Sequence, residues 1–175
     1  MQVFLIRHPR PQIAEGICYG QLDVPALDLV STADALRAQL PPGLPVIASP
    51  LARCRELATL LHPAPRFDAR LMEMHFGEWE GKPWDEIPRE ALDAWAADVP
   101  HFVPPGGESA AMLQSRGVPV LDALAREDAT ACAGVTRAPV LRSAHMPPSH
   151  TASSAQLRVH TPPRSASGQA ASPAQ

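Results

Sequence analysis

A four-residue apolar run, Val3-Phe4-Leu5-Ile6, ends at Arg7-His8-Pro9. Branched and aromatic side chains favour extended backbone, and a short run bounded in this way reads as a buried strand. Proline has no N–H to give a sheet ladder, so the strand must stop there. An arginine and a histidine therefore stand where a strand opens into a loop. In open α/β sheets that carboxyl end is where ligands bind. Taken as a functional pair, His8 is a nucleophile for phosphoryl groups and Arg7 a holder of phosphate oxygens. Taken alone, an Arg-His pair is more often a partly buried loop histidine beside a solvated arginine. Later segments decide between the two.

The first of these is a second strand-helix unit. Pro45-Val46-Ile47-Ala48-Ser49 reads as another short buried strand. Ser49 suits a helix N-cap and Pro50 the first helical position. Leu51, Cys54, Leu57, Ala58 and Leu61 then recur at helical spacing, with Arg53 in the first turn and off that stripe. The helix dipole disfavours a cation at this end. An arginine beside free N–H groups makes sense when both address one anion. Between the two strands, Ser31-Thr32-Ala33-Asp34 starts a helix that Ser31 or Thr32 can cap. Ala33, Leu36 and Leu40 give its apolar face, and Pro41-Pro42-Gly43 ends it. Two such units in succession predict an α/β fold, a mostly parallel sheet flanked by helices with right-handed crossovers. Arg7, His8 and Arg53 then share one sheet edge and one pocket. In Cys18-Tyr19-Gly20-Gln21, Gly20 marks a turn or close approach, and Tyr19 and Gln21 can donate hydrogen bonds to a ligand beside His8.

Further on, Leu71-Met72-Glu73-Met74-His75-Phe76-Gly77-Glu78-Trp79-Glu80-Gly81 interleaves apolar residues with glycine, as a loop packed on the domain does. Glu73 lies among apolar neighbours, which would raise its pKa and suit a general acid. Glu78 and Glu80 are expected in solvent. Pro88 opens a helix with Leu92, Trp95, Ala96 and Val99 inward. Pro104-Pro105-Gly106-Gly107-Glu108-Ser109 is a tight loop leading into a helix capped by Ser109 and lined by Met112, Leu113, Val120, Leu121 and Leu124. Gly117 and Pro119 are expected to kink it.

Composition matters most at residue 128. All 18 acidic residues lie at or before Asp128, against 11 basic ones, so residues 1–128 carry −7. Residues 129–175 hold four arginines and no acid, and no Phe, Trp or Tyr follows Phe102. A segment made mostly of Ala, Ser, Pro and Thr has little apolar surface to offset its ordering entropy. Residues 1–128 are therefore read as the foldable domain and 129–175 as a low-complexity tail, incomplete or disordered. A formal net charge of −3 gives no case for nucleic acid or an anionic membrane as partner. No apolar run spans a bilayer, and no signal-peptide pattern opens the chain. Cys18, Cys54 and Cys132 form no C-x-x-C pair, so neither a disulfide framework nor a zinc site is expected, and a reducing cytoplasm is the default.

Arg7-His8 after a first strand, Ser49-Pro50-Leu51-Ala52-Arg53 after a second, Leu71-x-Glu73-x-x-Phe76-Gly77-x-Trp79-Glu80-Gly81, and Pro105-Gly106-Gly107-Glu108-Ser109 occur in that order. Together they resemble the histidine phosphatase (phosphoglycerate mutase-like) superfamily over residues 1–128. Arg-His-Pro with Cys18-Tyr19-Gly20 is closest to small bacterial members of the alpha-ribazole phosphatase type. The resemblance implies a hydrolase of acid or broad phosphatase type. His8 takes the phosphoryl group as phosphohistidine, Arg7 and Arg53 hold its oxygens, Glu73 protonates the leaving alcohol, and water frees phosphate. It implies no cofactor and no metal. The partner is a small phosphorylated metabolite, with alpha-ribazole 5'-phosphate of cobalamin biosynthesis as the candidate, and a homodimer is left open. The alternatives are phosphoglycerate mutase-type transfer between hydroxyls, and an inactive or truncated pseudoenzyme that only binds phosphate ligands.

The family pattern has a second histidine, in Thr/Ser-His-Gly/Ala-Gly after an apolar strand due soon after Asp128. Here Ala129-Thr130-Ala131-Cys132-Ala133-Gly134-Val135-Thr136-Arg137 has no histidine and little strand character. His145, in Ser143-Ala144-His145-Met146-Pro147, lacks the preceding apolar run and the following glycine, and His150 and His160 are worse placed, so the role is carried over to none of them. The change of composition at that point fits either a shifted reading frame near residue 128 or a divergent tail. A frameshift predicts that another frame of the coding DNA encodes an apolar strand ending in His-Gly. Sequencing the gene checks this, and its absence from both other frames refutes the frameshift.

Overall fold

The computed structural model describes residues 2–126, 131–136 and 156–160. Five strands form one parallel sheet in the order β3-β2-β4-β1-β5. They are β1 (Gln2–Arg7), β2 (Val46–Ala48), β3 (Arg66–Phe67), β4 (Ala131–Thr136) and β5 (Gln156–His160). Four helices accompany them: α1 (Leu29–Arg37), α2 (Ala52–Leu61), α3 (Arg89–Ala97) and α4 (Ala110–Arg126). Single 3-10 turns at Ala69–Leu71, Gly77–Trp79 and Trp84–Glu86 punctuate the long loop after β3.

Strand β1 shows why both faces of the sheet must be covered. Phe4 and Ile6 point to one side, where they pack with Ala33 and Leu36 of α1 and Cys54, Leu57 and Ala58 of α2. Val3 and Leu5 point to the other, against Leu71, Met74 and Leu113 and Val120 of α4. This is the period-2 alternation of a strand, with apolar residues on both faces as a parallel sheet requires. A third cluster stands apart from the sheet. Cys18, Trp79 and Ile87 are buried there, and Phe76, Trp84, Trp95 and Phe102 pack around them. Trp84 and Trp95 stack with centroids 5.8 Å apart, and Phe76 meets Trp84 edge-on at 5.7 Å. These rings carry a loop that has little regular structure of its own.

Several local expectations change in the fold. Helix α1 starts at Leu29 rather than at Ser31, because Asp28 adopts a left-handed conformation (φ 56°) and its carbonyl accepts the Thr32 N–H. Ser49 does not cap α2: its Oγ accepts only a long 3.4 Å bond from Leu51 N–H, and the helix begins at Ala52. Ala96 and Val99 face solvent, since the aromatic cluster takes only one side of α3, through Ala91, Leu92 and Trp95. Met112 is exposed as well, while Leu113 and Val120 are the buried positions described on α4. Ser109 does cap α4, its Oγ accepting the Met112 N–H at 3.2 Å. The helix runs through Gly117 and Pro119 to Arg126.

The largest difference concerns residues 129–175. Ala131–Thr136, read as having little strand character, is β4, lodged between β1 and β2. Gln156–His160 is β5, paired with β1 on its other edge. Small residues in Ala131-Cys132-Ala133-Gly134 carry almost no intrinsic strand preference, and two flanking ladders supply what propensity does not. The expectations for the rest of 129–175, including His145 and His150, lie outside the described residues.

Leu5 is fully buried at the centre of this arrangement. Leu5→Ala is expected to cost about 2–5 kcal/mol of unfolding free energy, measured by urea denaturation.

Candidate active site

The parallel sheet puts the ends of β1 and β2 on one edge, as the two strand-helix units predicted. Arg7 is paired in register with Thr136 and Ala48 with Val135, so the end of β4 lies between the other two. The site is built from the loops that leave this edge.

His8 follows β1 directly and is 3% exposed. Its Nδ1 stands 2.7 Å from the Pro9 carbonyl oxygen. A carbonyl only accepts, so Nδ1 carries the proton, and in the neutral ring Nε2 holds the basic lone pair. Arg7, the last residue of β1, is half-buried.

Arg53 is 1% exposed, in the first turn of α2. A buried guanidinium must have its donors met. Its Nη1 donates to the Leu22 carbonyl at 3.0 Å, Nη2 donates to the Gly20 carbonyl, and the Tyr19 ring lies 5.5 Å from its Cζ. The arginine expected to address an anion is thus also the anchor of loop 19–22. Beside it, Asp23 accepts the Ala52 N–H through Oδ1 at 2.6 Å, taking the place at the head of α2 expected of Ser49.

Glu73 is 3% exposed, and its Oε1 accepts the N–H of Met74 at 2.8 Å. Its carbonyl accepts from Gln21 Nε2 at 3.1 Å and from Arg116 Nη2 at 2.9 Å. Gln21, expected to reach a ligand, therefore spends a side-chain donor on the main chain of Glu73. Tyr19 is engaged with Arg53. The loop bearing both joins Arg53 to Glu73.

Glu80 corrects an expectation. Rather than standing in solvent, its carboxylate accepts the N–H groups of Gln21 and Phe76, each at 2.9 Å, and that of Leu22. Three amides from two loops converge on one carboxylate, which staples residues 20–22 to residues 76–80. The approach is close enough that a Cβ on Gly20 would sit 1.9 Å from the Met74 carbonyl oxygen, so only glycine fits. Glu78 is exposed as expected.

A second carboxylate holds the loop from its other side. Glu108 Oε1 accepts the His75 N–H at 3.0 Å, and Arg116 Nε donates to Glu108 Oε2 at 3.0 Å. Gly77 allows the two loops to meet: its φ is +58°, and a Cβ there would fall 2.0 Å from the Pro105 carbonyl oxygen. At the foot of the loop, hydrogen bonds from the Arg70 side chain hold the Asp68 carboxyl below its ordinary pKa.

Asp23, Glu80, Glu108 and Arg116 are the site residues that sequence reading missed. Only Arg116 carried a legible signal. It shares a helix face with Leu113 and Val120, and a charged residue in an apolar stripe needs internal partners. Among the described residues no group of three His, Cys, Asp or Glu is disposed to hold a metal ion. No described helix is long and apolar enough to cross a membrane.

Glu80→Ala leaves three loop amides without their acceptor. The expected loss is about 1–3 kcal/mol of stability, with faster amide exchange at Gln21 and Phe76, read by denaturation and exchange together.

The family model for the Histidine phosphatase superfamily (branch 1) matches residues 3–162, which extends beyond the four motifs to β4 and β5. Over 157 residues the chain is 29% identical to glucosyl-3-phosphoglycerate phosphatase of Mycolicibacterium vanbaalenii, covering 82% of this chain and 68% of that protein. The structure of TTHB049 from Thermus thermophilus is similar at a TM-score of 0.65 and 31% identity, covering 79% of each chain. An Escherichia coli K-12 structure named for alpha-ribazole-5'-P phosphatase is similar at a TM-score of 0.69 and 25% identity, covering 78% of this chain and 73% of that one. With the motifs in order along the chain and the match running through most of its length, the chain belongs to the histidine phosphatase superfamily.

Proposed function

We propose that the protein is a phosphomonoesterase that works through a phosphohistidine, and that its substrate is a phosphate monoester of a small hydroxylated metabolite. The observation that carries this reading is the burial of His8 directly after β1, of Arg53 in the first turn of α2 after β2, and of Glu73 in the loop after β3. Three such groups are costly to bury and contribute little to packing. In the proposed reaction, Nε2 of His8 attacks phosphorus in line with the ester oxygen, and the P–O bond to the alcohol breaks. Glu73 gives that oxygen its proton. Arg7 and Arg53 hold the remaining phosphate oxygens, whose charge needs positioning more than covalent help. Water, deprotonated by the Glu73 carboxylate, then attacks the phosphohistidine and releases inorganic phosphate. This step restores neutral His8 and protonated Glu73. The relatives are named for phosphatases of glucosyl-3-phosphoglycerate and alpha-ribazole-5'-P, and both names denote monoesters of this class. Alpha-ribazole 5'-phosphate is the specific candidate, in cobalamin biosynthesis in the cytoplasm.

A second reading is favoured by one feature. The residue after β4 in the sequence is Arg137, where the family pattern has a histidine. A pocket lacking that partner would bind phosphate esters without turning them over. Hydrolysis of p-nitrophenyl phosphate without added metal separates the two readings. The phosphatase reading expects turnover, a phosphohistidine adduct by mass spectrometry, and a fall of about a thousandfold or more in His8→Ala. Background rates in both proteins, with phosphate still raising the melting temperature, would establish the binding reading instead.

A further inference from the structure

Arg116 makes an arrangement that the phosphoryl-transfer reading does not require. Its guanidinium has five N–H donors, and five acceptors meet them. Nη1 donates to the carbonyls of Arg70 at 2.7 Å and Met72 at 2.8 Å. Nη2 donates to the carbonyl of Glu73 at 2.9 Å and to Glu108 Oε1. Nε donates to Glu108 Oε2 at 3.0 Å. All the acceptors belong either to the segment that carries Glu73 or to the carboxylate that holds that segment's far end. Glu108 takes the His75 N–H through Oε1 and gives its own N–H to the His75 carbonyl at 2.9 Å.

A surface ion pair would contribute little and would not need this geometry. Here the Arg116 and Glu108 side chains are only 22% and 12% exposed. Arg116 also stands on the helix face of Leu113 and Val120, which pack against Val3 and Leu5 of the strand that leads to His8. One rigid helix is therefore the common support for the strand of His8 and the loop of Glu73.

The consequence reaches the carboxyl group. Both lone pairs of the Glu73 carbonyl are used, by Gln21 and by Arg116. The next amide, of Met74, donates to the Glu73 carboxylate itself at 2.8 Å. The direction of the carboxyl is thus tied to the peptide between residues 73 and 74, and that peptide is fixed by the guanidinium. We infer that Arg116, braced by Glu108, is a positioning residue that aims the Glu73 carboxyl by clamping its backbone. It touches no reacting atom. The inference rests on the proposed role of Glu73 as the acid.

The test compares leaving groups. An alkyl phosphate such as 2-glycerophosphate needs its leaving oxygen protonated, whereas the p-nitrophenolate of p-nitrophenyl phosphate leaves readily without a proton. Arg116→Gln is expected to lower kcat/KM for 2-glycerophosphate by about tenfold or more, and for p-nitrophenyl phosphate by less than about threefold, because kcat/KM covers the steps up to the phosphohistidine and excludes its shared hydrolysis, in which Glu73 serves as base. Glu73→Gln should show the same selectivity. Arg116→Lys should not restore the alkyl rate, because an ammonium has three donors and no planar fork. Equal losses of kcat/KM on both substrates, or no loss on either, would overturn the inference.

Hydrogen exchange separates this outcome from a failure of the acid role, or of turnover altogether. In Arg116→Gln the Met74 amide should exchange at least about tenfold faster while the β1 amides keep their protection. Unchanged exchange at Met74 would sink the clamp even in an inactive protein. If the β1 amides of Arg116→Gln also lose protection, the same comparison is read from Arg116→Lys.

Discussion

Strand β1 is enclosed on every side. Phe4 and Ile6 are covered by α1 and α2, Val3 and Leu5 by α4 and the loop at Leu71 and Met74, and β4 and β5 occupy its two edges. A strand with no exposed face and two paired edges has little freedom left, so the residue at its end inherits a fixed position. That residue is Arg7, and His8 follows. Burial of the imidazole and its Nδ1 bond to Pro9 complete the restraint. The rest of the site is arranged around this fixed point by loops that lack regular structure and must be held by side chains.

Charged side chains bonded to main-chain groups do the holding. Glu80 gathers amides of Gln21, Leu22 and Phe76; Arg53 gathers carbonyls of Gly20 and Leu22; Arg116 gathers carbonyls of Arg70, Met72 and Glu73. Such bonds are worth more than neutral ones, and loops without ladders need them because buried backbone groups must be satisfied. Glycines at 20 and 77 let the loops approach closely enough for these bonds to form. The aromatic cluster of Trp79, Trp84, Trp95 and Phe102 then supplies apolar burial for the outer part of the loop.

The same economy bears on function. Arg53 both anchors loop 19–22 and stands at the edge where a phosphate would be held, so a bound anion and loop order would share one guanidinium. The strand that leads to His8 and the loop of Glu73 reach a common support through α4, by packing on the β1 side and by hydrogen bonds on the Glu73 side. The proposed phosphoryl transfer leaves little covalent work to the protein, so such fixed geometry would be its main resource.

The residues proposed to carry the chemistry stand beside strong local signals in the sequence. Val3-Phe4-Leu5-Ile6 before a proline gives a strand end at Arg7-His8, and Leu51, Cys54, Leu57 and Ala58 give the helix that carries Arg53. Ordered motifs gave Glu73 and the family. The sequence could not reveal that Ala131-Cys132-Ala133-Gly134 is a central strand, since small residues become extended there only because β1 and β2 wait on either side. Nor could it show that Asp23 would cap a helix 29 residues away, that Glu80 would leave solvent for three amides, or that Arg116 would clamp Glu73. Local pattern reports the period of burial and the strength of a turn. Partners far apart along the chain meet only when the tertiary fold closes, and that closure decided which charges hold the site together.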